Sequence, residues 1–229
     1  MNVATIPWTR LDPGNDLARA YLVEPERVLP LFSHDYRDPR ALRPLAEAQL
    51  RRARPRLGAL LAAYNRDVGG SPENAERLDD GLCVVSGQQV GLLLGPAYTS
   101  YKLFTAINAA RAIADELRVP VVPVFWVESE DHDWEEANRF FLPGRKLRIE
   151  AEVEPGTPLS EIEADPEPFL REAKEALGAE GEAWALVSPE RRVALWHVKN
   201  LARLVAGSGV VFLEPRLLRD PLRPFAERV

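Results

Sequence analysis

Short apolar segments alternate with longer stretches of helical spacing through the centre of this chain. Residues 82–85, 121–127 and 209–213 are apolar runs of the length that is typical of buried strands. Between the first two runs, apolar residues recur three or four positions apart and predict one long amphipathic helix. Strand, helix and strand in this order predict a βαβ unit with parallel strands. The chain is therefore predicted to have an α/β fold, with a parallel sheet core flanked by helices.

Two of the predicted helices have recognisable first residues. The helix between the first two strands is expected to begin at Thr99 or Ser100, because a hydroxyl can accept a hydrogen bond from a first-turn N–H, and to end at Leu117. Another helix is predicted from Ser188 to Ala206, since serine is a favoured N-cap and the proline after it is tolerated at the first helical position.

The pattern also predicts how the chain divides. Residues 41–65 carry an apolar helical stripe that Pro55 is expected to kink or split. We predict that residues 1–80 form an N-terminal helical extension that packs on a core of residues 81–229. A new amphipathic helix begins at Asp220, and the chain ends about two turns later. The core is therefore expected to be truncated at its C-terminus.

Composition narrows the class of protein. The 229 residues are 46% hydrophobic and 28% charged, with a net charge of −6, which is typical of a globular protein and argues against nucleic-acid binding. No apolar run approaches the roughly 20 residues of a membrane span, and no signal sequence is visible. The single cysteine, Cys83, is interpreted as a buried strand thiol. We expect a cytoplasmic protein without membrane or nucleic-acid partners.

A glycine-spaced segment follows the first predicted strand. Gly87, Gly91 and Gly95, with Gln88 and Gln89, are predicted to form a loop before the long helix. Such a loop exposes backbone N–H groups, and together with the positive end of a helix it can hold a phosphate or a carboxylate. The alternative is a tight buried connection that needs glycine for its backbone angles, and the pattern alone favours neither.

A lysine lies in the first turn of the helix that follows. Thr99 and Lys102 are three residues apart, so both could reach an anion at the helix end. A cation in the first turn opposes the helix dipole, and a bound polyphosphate would reverse that cost. The alternative is an ordinary surface lysine.

An acidic run follows the second predicted strand. Glu128, Glu130, Asp131 and Asp133 surround His132, and so many carboxylates repel one another unless cations or donors lie among them. The run is either a solvated acidic turn or a site for an amine, a Mg²⁺-nucleotide or a proton shuttle, with His132 as the acid or base. Because neither a cysteine nor a second nearby histidine completes a zinc set, no metal site is predicted.

Both motifs resemble the signatures of a known family. The run from Ser86 to Leu92, continued by Gly95 to Lys102, is similar to the first signature of the BshC family, whose members are assigned the cysteine-adding step of bacillithiol biosynthesis. The strand 121–127, with residues 130–134 and 136–138 after it, resembles the second. The two occur in the family's order and at a similar spacing.

The resemblance implies a fold and an activity. It implies a Rossmann-like core of the nucleotidyltransferase type, in a protein about twice this length that forms a homodimer through a C-terminal coiled coil missing here. The reaction implied joins the carboxyl of L-cysteine to the amine of glucosaminyl-malate. A free carboxylate must be activated first, so ATP with Mg²⁺ is expected to take part, and no tightly bound cofactor is predicted.

The resemblance also implies roles for residues of both motifs. The catalytic candidates are Lys102, which would neutralise charge on the phosphates, and Asp131, His132 and Asp133, which would orient the amine or accept its proton. The substrate-binding candidates are Gly87, Gln88, Gln89, Gly91, Gly95, Pro96, Tyr98, Thr99, Tyr101, Trp126, Glu130 and Asn138. The open alternatives are a nucleotide- or anion-binding module without activity of its own, and a nucleotidyltransferase or phosphate-ester hydrolase with another substrate.

Overall fold

A computed structural model of the chain describes residues 5–7, 10, 14–52, 55–142, 144–178 and 188–226. The chain divides into two compact units, residues 1–49 and residues 50–229. The predicted domain boundary at residue 80 stays a prediction.

The first unit is small and mostly helical. Helix α1 (Asp16–Val23) begins where the side chain of Asn15 accepts a hydrogen bond from the N–H of Ala18, 2.7 Å away. The rings of Tyr21 and Tyr36 stack with centroids 4.3 Å apart. Helix α2 (Arg43–Leu50) reaches the boundary between the units.

The second unit contains five strands and seven further helices among the described residues. They are α3 (Gly58–Val68), α4 (Pro72–Arg77), β1 (Leu82–Gln89), α5 (Ala97–Leu117), β2 (Val121–Glu128), α6 (Trp134–Ala137), β3 (Arg139–Leu142), β4 (Arg145–Arg148), α7 (Pro166–Leu177), α8 (Val193–Leu204), β5 (Val211–Leu213) and α9 (Arg219–Ala226). The predicted split of the stripe at Pro55 is confirmed, since α2 ends before this proline and α3 begins after it.

Strands β1, β2 and β5 form a parallel sheet with β2 in the centre. The pairing of β1 with β2 runs from Leu82 opposite Val121 to Gln89 opposite Glu128. This arrangement, with helices against the sheet, confirms the predicted α/β parallel core. Strands β3 and β4 form a separate antiparallel hairpin, which was not predicted.

The sheet lies between two layers of helices. Phe125 and Val127 of β2 belong to the larger buried cluster, together with Leu103 of α5 and Leu201 of α8. The alternate positions of β2 belong to a second cluster, which includes Val124 and residues of α3 and α4. Because successive strand side chains point to opposite faces, the two clusters lie on opposite sides of the sheet.

Helix α3 protects the outer edge of β5. The buried amide of Asn65 donates to the carbonyl of Phe212 at 2.9 Å and accepts from its N–H at 2.8 Å. This pair of bonds takes the place of a neighbouring strand, so the backbone of β5 at Phe212 is satisfied on this side.

Strand β1 is longer than predicted. Gly87, Gln88 and Gln89 lie on the strand and not in a loop, so that part of the prediction is wrong. A side chain at residue 87 would place its Cβ 2.5 Å from the backbone oxygen of Trp126. Glycine at 87 therefore permits the close approach of β1 and β2.

Several predicted boundaries differ from the structure. Helix α5 begins at Ala97 after Pro96, without a side-chain cap, so neither Thr99 nor Ser100 is its N-cap. Helix α8 begins at Val193 instead of Ser188. Cys83 is exposed on β1, and its predicted burial is wrong. Within the described residues, no helix has the length and apolar character needed to cross a membrane.

Candidate functional site

A cavity of about 580 Å³ lies between the end of β1, the start of α5 and the β3–β4 hairpin. Six of the predicted substrate-binding residues line it: Gln88, Gln89, Gly91, Gly95, Pro96 and Tyr98. Val90, Leu94, Ala97, Ser100, Glu136, Arg139, Phe140 and Phe141 complete its lining. The cavity adjoins the carboxyl end of a parallel strand, which is where α/β proteins bind ligands.

The polar wall of the cavity is held together by Gln88. Its amide nitrogen lies 3.2 Å from the hydroxyl of Tyr98 and 3.3 Å from the amide oxygen of Gln89. Its amide oxygen accepts a hydrogen bond of 2.7 Å from Nζ of Lys102. Lys102 also lies 5.3 Å from the ring centroid of Tyr98. The exposed ammonium group is therefore held at the rim of the cavity.

Asp131 is linked to the same wall through Gln89. Nε2 of Gln89 donates to Oδ2 of Asp131 at 2.7 Å. The other carboxylate oxygen, Oδ1, accepts from the N–H of His132 at 2.7 Å and of Asp133 at 3.2 Å. The bond from Gln89 first, and these backbone N–H groups with it, lower the pKa of Asp131 below its ordinary value. Asp131 therefore stays ionised near neutral pH.

The two residues after Asp131 are both exposed, and they differ in their contacts. The side chain of His132 is exposed, where it is accessible to an incoming ligand. Oδ1 of Asp133 accepts a hydrogen bond of 2.9 Å from the N–H of Glu136 and so caps α6. Neither residue lines the cavity. Their predicted catalytic roles stay predictions.

Four further candidates lie outside the cavity lining. Glu130 forms an ion pair with Arg219. The indole N–H of Trp126 donates to Glu128 at 2.8 Å. Tyr101 is largely exposed. The remaining one, Asn138, is buried, and within the described residues its Oδ1 has no hydrogen-bond partner.

The first turn of α5 presents a buried polar atom beside a glycine. Gly95 adopts a left-handed conformation, with a φ of +68°, immediately before the helix. Thr99 is fully buried next to it, and its Oγ1 has no partner among the described residues. A helix start without a side-chain cap fits an anionic group such as a phosphate, whereas the buried hydroxyl of Thr99 does not line the cavity.

His197, in α8, forms a hydrogen bond to the loop between β1 and α5. Its Nδ1 lies 2.9 Å from the carbonyl oxygen of Leu93, which can only accept, so Nδ1 carries the proton. Leu93 itself has a φ of +53°, a strained angle for a residue with a Cβ. Complete burial lowers the pKa of His197 to about 4. The sequence shows only a histidine inside a helix, so this contact could not be predicted.

A second polar cluster follows β5 and was also missed. Glu214 is 2% exposed, accepts a hydrogen bond of 2.5 Å from the hydroxyl of Tyr64, and is paired with Arg216 at 3.0 Å. Burial alone would raise the pKa of Glu214, but the bonds from Arg216 and Tyr64 outweigh it and lower the pKa. The position of Glu214 directly after an apolar strand was the available signal.

Side chains that could bind a metal ion are not clustered in the described residues. Among these residues, no three His, Cys, Asp or Glu side chains are close enough together to hold an ion.

Comparison with known proteins agrees with this architecture. Residues 1–208 match the family described as "Bacillithiol biosynthesis BshC, N-terminal Rossmann-like domain". Among curated relatives named "Putative cysteine ligase BshC", the one from Symbiobacterium thermophilum is 39% identical over 159 residues, which are 62% of this chain and 27% of the relative. The one from Koribacter versatilis is 36% identical over 176 residues, 71% of this chain and 33% of the relative.

The aligned part is a larger share of this chain than of its relatives. The aligned part is 58% of this chain but 27% of the relative from Heliobacterium modesticaldum, which is 38% identical over 149 residues. The aligned part thus spans about a third or less of the length of these relatives. Since the family match spans most of its length and the parallel core has the matching Rossmann-like form, this chain belongs to the BshC family, as the N-terminal Rossmann-like domain.

Proposed function

We propose that this chain is the N-terminal part of a cysteine ligase, which joins the carboxyl of L-cysteine to the amine of glucosaminyl-malate. The observation that carries the proposal is the convergence of six predicted substrate-binding residues of the first family signature on one cavity of about 580 Å³. A cavity of this size suits a small-molecule substrate. Its relatives are named as cysteine ligases, which indicates the class of reaction.

Carboxyl activation is assigned to the start of α5. A free carboxylate lacks a leaving group, and ATP supplies one when it is bound. The N-terminus of α5 and Gly95, which lines the cavity, would hold its phosphates. Lys102, which lies at the same end of α5, would balance the negative charge.

The amine is assigned to the segment after β2. Asp131 is held in its ionised form by Gln89 and can attract an ammonium group or orient an amine. His132, exposed beside it, would accept the proton that the amine loses when the amide bond forms. Asp133 supports this segment by capping α6.

The test is a ligation assay on the full-length protein with cysteine, glucosaminyl-malate and ATP·Mg²⁺. We expect Lys102→Ala and His132→Ala each to lower the rate by 10²-fold or more, on the order of general acid–base or charge-stabilising contributions. The matched control is Lys174→Ala, an exposed lysine of α7 that does not line the cavity. Unchanged rates in both test variants would refute these roles, and release of AMP or of ADP would identify an acyl-adenylate or an acyl-phosphate.

A binding module is the second candidate, and the short coverage of the relatives favours it. The aligned part is about a third of their length or less, so catalytic groups and a dimer-forming coiled coil could belong to the remainder. Calorimetric titration of this chain with ATP·Mg²⁺ and with glucosaminyl-malate separates the candidates. If this chain binds a substrate but does not catalyse ligation, and the full-length protein does catalyse it, substrate recognition would be assigned to this part of the protein.

A further inference from the structure

Arg139 brings a guanidinium group to the lining of the cavity. It is the first residue of β3 and lines the cavity beside Phe140. Its Nε is buried and, within the described residues, has no hydrogen-bond partner. Its Nη2 donates at 3.3 Å to Glu135, which is exposed. The side chain as a whole is 32% exposed, so its outer guanidinium nitrogens, and not the enclosed Nε, are accessible to a ligand in the cavity.

The hairpin offers an internal comparison for this residue. Arg148 of β4 lies directly opposite Arg139 and shares Glu135, with Nη1 3.5 Å from its carboxylate. Arg148 does not line the cavity of about 580 Å³. The two arginines therefore have similar surroundings on the hairpin, and they differ in access to the cavity.

The charge of the lining indicates what kind of anion fits. Glu136 lines the same cavity, so Arg139 and Glu136 together leave the lining without net charge. Glu136 would repel a polyphosphate more strongly than a carboxylate, because a polyphosphate brings more negative charge to Arg139, the one cation among the described residues of this lining. The planar guanidinium also matches a carboxylate in geometry.

We propose that Arg139 recognises a carboxylate of the ligand that occupies the cavity. The proposal rests on the proposed function, because it names the substrate group, a carboxylate, that Arg139 contacts in the same site. Arg139 is then a specificity residue contributed by the hairpin, opposite the glutamines of β1. The phosphates of a nucleotide stay assigned to the start of α5.

The test measures binding of L-malate and glucosaminyl-malate to this chain by calorimetry or NMR titration. We expect Arg139→Gln to weaken both by about ten-fold to one-hundred-fold, the loss of one charge-assisted hydrogen bond or slightly more. Arg139→Lys should give an intermediate loss, because the charge stays and the planar donor group is lost. Arg148→Gln, the matched control, should change binding less than two-fold.

The results that would overturn this proposal differ from those that would overturn the proposed function. The proposal is overturned if neither malate nor glucosaminyl-malate binds, if Arg148→Gln weakens binding as much as Arg139→Gln, or if ATP·Mg²⁺ binding depends on Arg139 as strongly as malate binding does. Ligation by the full-length protein is a separate readout. If ligation is absent while malate binding depends on Arg139, the proposed function fails and the carboxylate assignment stands.

Discussion

Gln89 at the end of β1 donates a 2.7 Å hydrogen bond from Nε2 to Oδ2 of Asp131, in the segment that follows β2. The two residues are 42 positions apart in the chain, and the parallel pairing of β1 with β2 brings them together. This bond joins the glycine-containing signature to the acidic one. The two motifs are therefore adjacent in the structure.

The pKa of Asp131 should depend on this bond. Replacing the amide by a thioether in Gln89→Met removes the donor, so we expect the pKa of Asp131 to rise toward its ordinary value. The measurement is a pH titration of the ¹³C carboxyl resonance of Asp131. Gln88→Met is the matched control, because Gln88 does not contact Asp131, and equal titration of Asp131 in both variants would contradict the prediction.

Acid should destabilise the fold through His197. Its pKa is about 4 in the folded protein against an ordinary 6.5, so the unfolded chain binds more protons between these values. Stability is then fully present above pH 6.5 and is lost as the pH falls toward 4, by on the order of 3 kcal/mol. Urea unfolding at pH 7, 6, 5 and 4 measures it.

His197→Phe should flatten that pH dependence while lowering stability at pH 7, since the bond to Leu93 is lost. His34→Ala is the control, as His34 is exposed, and it should keep the pH dependence of the unaltered protein. A His197→Phe variant with the full acid sensitivity would show that other groups cause it.

The hydroxyl of Tyr64 should stabilise the fold through buried Glu214. Tyr64→Phe leaves a carboxylate oxygen of Glu214 with one donor fewer, and we expect the free energy of unfolding to fall by about 1–3 kcal/mol. Tyr101→Phe, in a side chain that is 72% exposed, should change it by less than about 0.5 kcal/mol. Equal effects in the two variants would argue against the buried bond.

Gly87 should be required for packing of the sheet. Gly87→Ala forces a Cβ against the backbone of Trp126, and we expect a loss of about 1–3 kcal/mol in the free energy of unfolding. Ser86→Ala, on the preceding residue, adds no atom and is the matched control. Unchanged stability with weakened ligand binding would instead favour an anion-binding role for Gly87.

Local patterns predicted the secondary structure well where apolar spacing was strong. The strands at residues 82 and 121 and the helix ending at Leu117 were confirmed, since a buried element needs a continuous apolar face. Boundaries were less accurate. The polar residues Gln88 and Gln89 continue β1 because pairing with β2 holds them, which the pattern of one segment does not encode.

The site was predicted in part. Six residues of the cavity lining were named from the signature, because they lie in one short segment at and after the end of β1. Arg139 was missed, since its access to the cavity depends on the β3–β4 hairpin, which was not predicted. The contacts of His197 and Glu214 were missed because their partners, Leu93 and Tyr64, are 104 and 150 positions away.

The sequence by itself determined the α/β class, the order of strand and helix, and the residues of the two signatures, because these depend on local spacing and residue chemistry. Only the tertiary structure decided which of those residues share a cavity and which buried groups lack a partner. Contacts such as Gln89 with Asp131 arise from strand pairing, and the absence of a partner at Arg139 Nε within the described residues depends on the packing of the whole unit.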